Sequence, residues 1–164
     1  MTRFREVLRI LSTHGVDYVV VGGISAVLNG APVTTLDLDI VHSREARNVA
    51  RLLTALDELQ AVYRDLAGRK LKPGESHLLS KGHQLLLTRF GPVDVLGTIG
   101  RDLSYDDLLP HTSEMRLDED LTVRVLGLAA LIEIKEYLAT EKDRAVLPIL
   151  RRTLLERKMS RPTT

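Results

Sequence analysis

The chain has 164 residues, of which 44% are hydrophobic and 27% are charged, and its formal net charge is +1. This length and balance are typical of one globular domain, and they exclude a disordered, fibrous or large multidomain protein. No apolar run approaches the roughly 20 residues that cross a bilayer, and no signal peptide is recognisable, so we expect a cytoplasmic protein without a membrane partner. The chain has no cysteine, which excludes disulfides and a thiol nucleophile and leaves oxygen or imidazole to hold any metal.

The first third of the chain predicts two strands separated by a glycine turn and a short helix. Residues 2–14 carry apolar side chains at helical spacing and predict an amphipathic helix against a sheet. The β-branched segment 17–21 predicts a buried strand that enters a tight turn at Gly22-Gly23. A short helix over 24–28 follows, and segment 34–41 alternates apolar and polar residues as a half-buried strand does.

The rest of the chain predicts short strands in an irregular middle and two closing helices. In chain order the predicted elements are a helix over 43–59, short strands over 61–63, 85–87 and 93–96, a brief helix or turn over 102–110, a strand over 121–126, and helices over 128–139 and 143–158. The acidic residues 118–120 are interpreted as a turn. No repeat or low-complexity linker divides the chain.

Two aspartates alternate with apolar residues in the second predicted strand. Successive side chains of a strand point to opposite faces, so Asp37 and Asp39 are expected on one face and Leu36, Leu38 and Ile40 on the other. Two carboxylates about 6 to 7 Å apart can flank one or two divalent cations, and such cations would relieve their mutual repulsion. The alternative is a strand face with two solvated acids.

A third acid and a glycine pair strengthen the metal-site interpretation. Asp94 lies in the short apolar strand 93–96 and completes a three-carboxylate site if that strand lies beside the first. Gly22 and Gly23 lie between a strand and a helix, where backbone N–H groups can approach phosphate oxygens, although a turn that needs positive φ is an equal alternative. The pair does not extend to G-x-G-x-x-G, which disfavours a dinucleotide-binding oxidoreductase.

Taken in order, these segments resemble the nucleotidyltransferase superfamily. The resemblance rests on the strand Tyr18 to Val21, Gly22-Gly23, the run Asp37-Leu38-Asp39-Ile40 after thirteen intervening residues, and Val93-Asp94-Val95. The segment 126–135 looks like the small bacterial branch that includes AbiEii-type toxins. The resemblance implies an α/β (α+β) fold with a mixed β-sheet flanked by helices. We therefore expect one domain over 1–164, with a catalytic core over 1–100 and a mainly helical part over 101–164 that closes it.

The family pattern also implies a role for each site residue. Asp37 and Asp39 would hold two Mg²⁺ (or Mn²⁺) ions, and Asp94 would be the third metal ligand and help to activate the attacking hydroxyl. Gly22 and Gly23 would cradle the phosphates of a nucleoside triphosphate. All three aspartates are thus candidate catalytic and metal-binding residues.

Three further residues are candidates for nucleotide binding. Many members of the family carry serine directly after the first glycine, whereas Gly23 is in that place here and Ser25 follows two residues later. Lys135 and Lys142 would offset triphosphate charge from the closing helices, and the alternative for both is a solvated helix lysine.

Other polar residues have weaker functional interpretations. A basic cluster formed by Arg64, Arg69, Lys70 and Lys72 would guide an RNA or nucleotide acceptor, or is a solvated loop. His77 and His83 fit no zinc spacing and are interpreted as loop histidines. The basic segment 151–164 lacks aromatic residues and is interpreted as a solvated helix face and tail.

We therefore predict a magnesium-dependent transferase that moves a nucleoside monophosphate from a nucleoside triphosphate, such as ATP, to an acceptor hydroxyl. Its most specific form is a toxin that modifies tRNA and is paired with a cognate antitoxin protein, and that form rests on resemblance alone. One alternative is a catalytically silent nucleotide- or partner-binding module of the same fold. Another is a glycosyltransferase that holds Mn²⁺ and a sugar nucleotide with its Asp-x-Asp pair, which the short chain and the glycine pair disfavour.

Overall fold

The computed structural model describes residues 2–65 and 67–161. The helices are α1 Phe4–Thr13, α2 Gly22–Leu28, α3 Ala46–Glu58, α4 Glu75–Leu79, α5 Tyr105–Leu108, α6 Leu128–Leu138 and α7 Glu141–Met159, with a 3₁₀ helix at Leu109–His111. The strands are β1 Tyr18–Val21, β2 Leu38–His42, β3 Val62–Tyr63, β4 His83–Thr88, β5 Gly91–Leu96, β6 Thr112–Asp118 and β7 Leu121–Leu126.

In the part of the chain that the structure describes, seven strands join in one mixed sheet with the order β3-β4-β5-β2-β1-β7-β6. β2 is parallel to β5 and β1 is parallel to β7, whereas the other neighbouring strands are antiparallel. The predicted α/β class with a mixed sheet and flanking helices is confirmed. Since β7 pairs with β1, residues on both sides of position 100 build the same sheet.

Each face of the sheet packs against its own helices. On one face, Leu38 and Ile40 of β2 share a core with Leu8 of α1 and Leu52 of α3. On the other face, a second core joins Val19, Val21 and Val41 of the sheet to buried leucines of the closing helices, Leu131 of α6 and Leu147 and Leu150 of α7. Alternate side chains along β1 and β2 thus belong to two different cores, and the face of β2 that carries Asp39 is directed toward α6 and α7.

Several element predictions are corrected by the structure. The strand expected over 34–41 begins only at Leu38, and residues 34–37 form an irregular segment in which Leu36 is 65% exposed rather than part of a core face. Strand β6 and helix α4 were not predicted, because β6 is an edge strand with mostly polar residues and α4 has only five residues. The turn at the acidic residues is confirmed, since β6 and β7 form a hairpin there.

Among the described residues, no helix combines the length and the apolar character needed to cross a membrane.

Candidate functional site

The parallel pairing of β2 and β5 brings two of the predicted acids together. Asp39 and Asp94 are direct Cα partners in this pair, so their side chains leave the sheet next to each other on the same face. Asp37 precedes β2 by one residue and lines the same cleft as Asp39 and Asp94. The three carboxylates expected at one site therefore do lie at one site.

Burial and repulsion by the neighbouring acids raise the pKa of Asp39. Its pKa is raised to about 7, first by burial, then by the charge of Asp94, a hydrogen bond with Asp94 and the charge of Asp37. The charge of Lys142 acts in the opposite direction. A cation placed against these carboxylates would favour the ionised form of Asp39 and remove much of this electrostatic penalty.

The glycine pair packs directly against the acids and the segment before them. Gly22 has φ +62, and a Cβ there would overlap the carboxylate of Asp39. A Cβ on Gly23 would be 2.6 Å from Cβ of Thr35, closer than side chains approach in proteins. Position 22 thus needs glycine both for its positive φ and because a Cβ would clash, whereas position 23 needs glycine only because a Cβ would clash.

The side chain of Ser25, one of the candidates for nucleotide binding, points away from the cleft. Ser25 is fully buried, and its hydroxyl donates a 2.6 Å hydrogen bond to the carbonyl of Gly22. Its hydroxyl therefore stabilises the first turn of α2. Thr35, which we did not single out from the sequence, lines the cleft beside Gly23 instead.

A cleft of about 600 Å³ separates the acids from the closing helices. Both Lys135 of α6 and Lys142 of α7 line it. Lys135 is held by a 2.9 Å ion pair with Asp143, whose carboxylate also accepts a hydrogen bond from the capping hydroxyl of Thr140. Burial alone would raise the pKa of Asp143, but its hydrogen bonds with Thr140 and Lys135 outweigh burial and lower that pKa, which favours the carboxylate form.

A second cavity of about 480 Å³ begins on the other side of Asp39. It shares Gly22, Asp39 and Lys135 with the cleft, but neither Asp37 nor Asp94 lines it. Much of its wall is apolar, from Leu96 and Ile99 near the sheet and Leu131, Ile134 and Leu138 of α6. The site therefore has a charged chamber and an apolar chamber that meet at Asp39.

The sequence did not reveal that Arg64 contacts the acids of the cleft. Its guanidinium donates to the carboxylate of Asp94 and lies 3.7 Å from Oδ2 of Asp37. We had grouped Arg64 with the basic loop as a guide for an acceptor. Its position beside Asp94 depends on how β3, β4 and β5 pair, which no local pattern of residues encodes.

The remaining polar candidates lie outside the acidic cleft. Arg69 pairs with Asp65 and Lys72 with Asp57, both at the surface. The exposed Lys70 belongs to the same loop. The ring of His77 packs edge-on against Tyr63, and His83 lines the apolar chamber, where its Nε2 is 2.9 Å from the carbonyl of Thr98.

The donor set suits a hard divalent cation, since it consists of carboxylate oxygens only. A cationic group already bridges two of the three acids, because the Arg64 guanidinium reaches both Asp94 and Asp37. Over residues 2–65 and 67–161, however, no three acidic or histidine side chains are arranged so that they could hold a metal ion. Asp37, Asp39 and Asp94 thus have the chemistry that such an ion needs and line one cleft, but their side chains would have to turn to bind it.

Comparisons with known proteins identify the fold. A Thermotoga maritima protein assigned to the nucleotidyltransferases superposes with a TM-score of 0.55, at 17% identity over 95% of this chain and 96% of that one. The lincosamide antibiotic adenylyltransferase LnuA, solved with lincomycin bound, gives a TM-score of 0.60 at 15% identity over 90% of this chain and 94% of its own. No protein-family model matches the chain, and neither does any curated protein sequence. The chain therefore has a nucleotidyltransferase fold.

Proposed function

We propose that this protein is a metal-dependent nucleotidyltransferase that moves a nucleoside monophosphate from a nucleoside triphosphate to an acceptor hydroxyl. The observation that carries the proposal is the in-register pairing of Asp39 with Asp94, with Asp37 beside them, in the cleft between the sheet and the closing helices of a nucleotidyltransferase fold. Three acids gathered at one edge of a cleft, with the pKa of one raised to about 7, are a costly arrangement that a bound cation explains.

The two chambers suggest where the parts of the nucleotide bind. Lys142 offers a positive charge to a triphosphate in the charged cleft, whereas the charge of Lys135 is paired with Asp143. The backbone of Gly22 and Gly23 lines the same cleft. The apolar chamber would receive the nucleoside, since it lacks Asp94 and offers the apolar walls that suit a base. The acceptor would then approach from the side of Asp94.

In the reaction, Asp37, Asp39 and Asp94 would hold the divalent ions, and Asp94 would also orient the attacking hydroxyl. The ions, when bound, would supply Lewis-acid stabilisation of the phosphoryl charge and lower the pKa of that hydroxyl. The acceptor hydroxyl would lose its proton to solvent and its oxygen would form a bond to the α-phosphorus. The bond between the α-phosphorus and the bridging oxygen of the β-phosphate would break, and pyrophosphate would leave. Lys135 and Lys142 would stabilise the charge on the leaving group.

Two classes of acceptor follow from different observations. Transfer to tRNA by a toxin with a cognate antitoxin follows from the resemblance to AbiEii-type proteins, and the exposed basic loop with Arg69, Lys70 and Lys72 would support an RNA acceptor. A hydroxyl of a small molecule is the second candidate, because one structure with this fold is an adenylyltransferase of a lincosamide antibiotic. That neighbour also favours ATP as the nucleotide.

The test is transfer of label from each α-³²P nucleoside triphosphate, with Mg²⁺ or Mn²⁺, to tRNA and to a panel of hydroxyl-bearing antibiotics. Asp39→Asn should lower the rate by on the order of 10²–10³-fold, because it removes a proposed ligand of the ions that would stabilise the developing phosphoryl charge. Asp57→Asn, which changes an exposed acid far from the cleft, is the matched control and should be as active as the wild type.

Label transfer that survives Asp39→Asn would rule out this site. If the wild type bound a nucleoside triphosphate in calorimetry but transferred nothing to any acceptor, the silent binding module would replace the enzyme as the best description.

A further inference from the structure

A row of paired residues crosses the sheet through the site. Asp39 is the partner of Asp94, and Asp94 is the partner of Leu85 on β4. The backbone N–H of Arg64, just beyond β3, donates a 3.1 Å hydrogen bond to the carbonyl of Leu85 and so continues the row. Because paired positions in neighbouring strands share a face, Arg64 leaves the sheet on the same face as the acids.

The long side chain of Arg64 spans the strand between it and the acids. Neighbouring strands are about 4.8 Å apart, so the Cα of Arg64 is roughly 10 Å from that of Asp94. The guanidinium covers this distance and contacts the carboxylate of Asp94, with Oδ2 of Asp37 at 3.7 Å. A planar group with five donors is well suited to bridge two carboxylates in this way.

We propose that Arg64 is a built-in cation of the metal-free site, and that a divalent ion must displace its guanidinium from Asp94 in order to bind. This inference rests on the proposed metal-dependent function. Arg64 occupies Oδ1 of Asp94, one of the two carboxylate oxygens that could bind a metal ion, and two cations a few ångströms apart repel each other. The Arg64 side chain is 32% exposed, so it can turn into solvent while its backbone remains bound to β4.

Displacement makes Arg64 a determinant of metal affinity. While it is in place, it offsets the repulsion among three acids and stabilises the metal-free protein. On metal binding this contact is lost, so part of the binding free energy is used to release the guanidinium. Removing Arg64 should therefore tighten metal binding and, in the absence of metal, weaken the fold.

The experiment measures Mn²⁺ binding to the wild type, Arg64→Gln and Arg69→Gln by electron paramagnetic resonance of free Mn²⁺, without nucleotide. Arg69→Gln is the matched control, because it removes the same charge from the same loop while Arg69 pairs with Asp65 outside the cleft. We expect Arg64→Gln to bind Mn²⁺ about 3- to 10-fold more tightly than the wild type, the range of a partly exposed ion pair. Arg69→Gln should differ from the wild type by less than about 2-fold, since exposed distant charges are screened.

Thermal unfolding gives a second measurement that does not involve metal. In the presence of EDTA, Arg64→Gln should unfold about 2 °C or more below Arg69→Gln, and Arg64→Lys, which keeps the charge, should recover part of that loss. Saturating Mn²⁺ should abolish the deficit. Unfolding of both glutamine variants at one temperature in EDTA would contradict a role for Arg64 in the metal-free site.

Failure of this inference is distinguishable from failure of the proposed function. Equal or weaker Mn²⁺ binding by Arg64→Gln, beside clear binding by the wild type, overturns the displacement of Arg64 and leaves the metal site in place. If Mn²⁺ binds to none of the three proteins, the proposed function is overturned and the inference with it.

Discussion

At the scale of single residues, Gly22 is the position where the backbone and the site constrain each other most. It has φ +62, and a Cβ would overlap the carboxylate of Asp39. Gly30 has φ +93 but open space around it. We expect Gly30→Ala to cost about 1 kcal/mol from backbone strain alone, and Gly22→Ala to cost about 3 kcal/mol or more because it also displaces Asp39. Urea unfolding of both variants measures the difference.

The same pair of variants separates packing from site geometry. Gly22→Ala should also impair Mn²⁺ binding, since the carboxylate that moves is a proposed ligand, whereas Gly30→Ala should bind the ion as the wild type does. Equal losses of stability in the two variants would mean that Asp39 gives way easily and that only the sign of φ matters at Gly22.

Local spacing was enough to single out the three acids that line the cleft, but not to predict what they contact. Alternation along 37–40 placed Asp37 and Asp39 on one face, and the composition of 93–96 identified Asp94. The ion pair of Arg64 with Asp94 depends on pairings among β3, β4 and β5, which are long-range properties. The direction of the Ser25 side chain depends on the exact start of α2, which a glycine-rich turn leaves open.

At the scale of elements, His42 joins the end of β2 to α4. The residue is 1% exposed, and its Nε2 is 2.7 Å from the carbonyl of Leu78. Burial lowers the pKa of His42 below its usual value near 6.5. The unfolded chain therefore binds a proton at His42 at a higher pH than the folded chain, so the free energy of unfolding falls as the pH is lowered below about 6.5, by up to ~1.4 kcal/mol per pH unit.

Replacement with an amide that does not titrate tests this linkage. Glutamine can still donate to the carbonyl of Leu78, so His42→Gln should lose most of the difference in stability between pH 6.5 and pH 5 that His42 causes. Urea unfolding at several pH values, compared with the exposed-site variant His111→Gln, measures it. Asp39 titrates in the same range with the opposite sign, but it is common to all three proteins and cancels in the comparison. Parallel pH profiles for the wild type and His42→Gln would refute the assignment.

Elements with a strong hydrophobic pattern were predictable, and those specified by their partners were not. Helix α1 and strand β1 were recognisable because their apolar residues recur with the period of the structure. β6 has the sequence of a solvated edge strand and forms because it pairs with β7 across a tight turn. The segment 34–37 has the alternation of a strand, yet it is irregular in the structure and β2 begins only at Leu38.

At the scale of the whole molecule, the cleft forms because two strands from later in the chain pair with β2 and β1 at the centre of the sheet. β5 joins β2 from one side and brings Asp94, while β7 joins β1 from the other side and leads into α6 and α7. These helices supply Lys135 and Lys142 and form the second wall of the cleft. The sequence indicates the helices and strands, but the order in which the strands pair is set by packing of the whole sheet. The residues that line this cleft could therefore be identified only from the structure.

This arrangement predicts that residues 1–100 do not fold alone. Such a fragment lacks β7 and leaves Val19, Val21 and Val41 uncovered on the face that α6 and α7 pack against. Six apolar side chains buried by those helices are lost with them, namely Leu128, Leu131, Ile132, Ile134, Leu147 and Leu150. At about 1.5–3 kcal/mol each, their loss is about 9–18 kcal/mol, comparable to or larger than the whole stability of a domain.

The comparison is with a fragment of residues 1–139, which keeps all seven strands and α6 and loses only the part of the core that α7 covers. We expect the full chain to unfold in one cooperative transition. The 1–139 fragment should keep strand and helix signals in circular dichroism but melt at a lower temperature. The 1–100 fragment should show neither cooperative melting nor a monomeric peak in size-exclusion chromatography. Cooperative melting of a monomeric 1–100 fragment would instead show that β1 is stable as an edge strand, and the lysine-bearing helices would then be an addition to a core that folds without them.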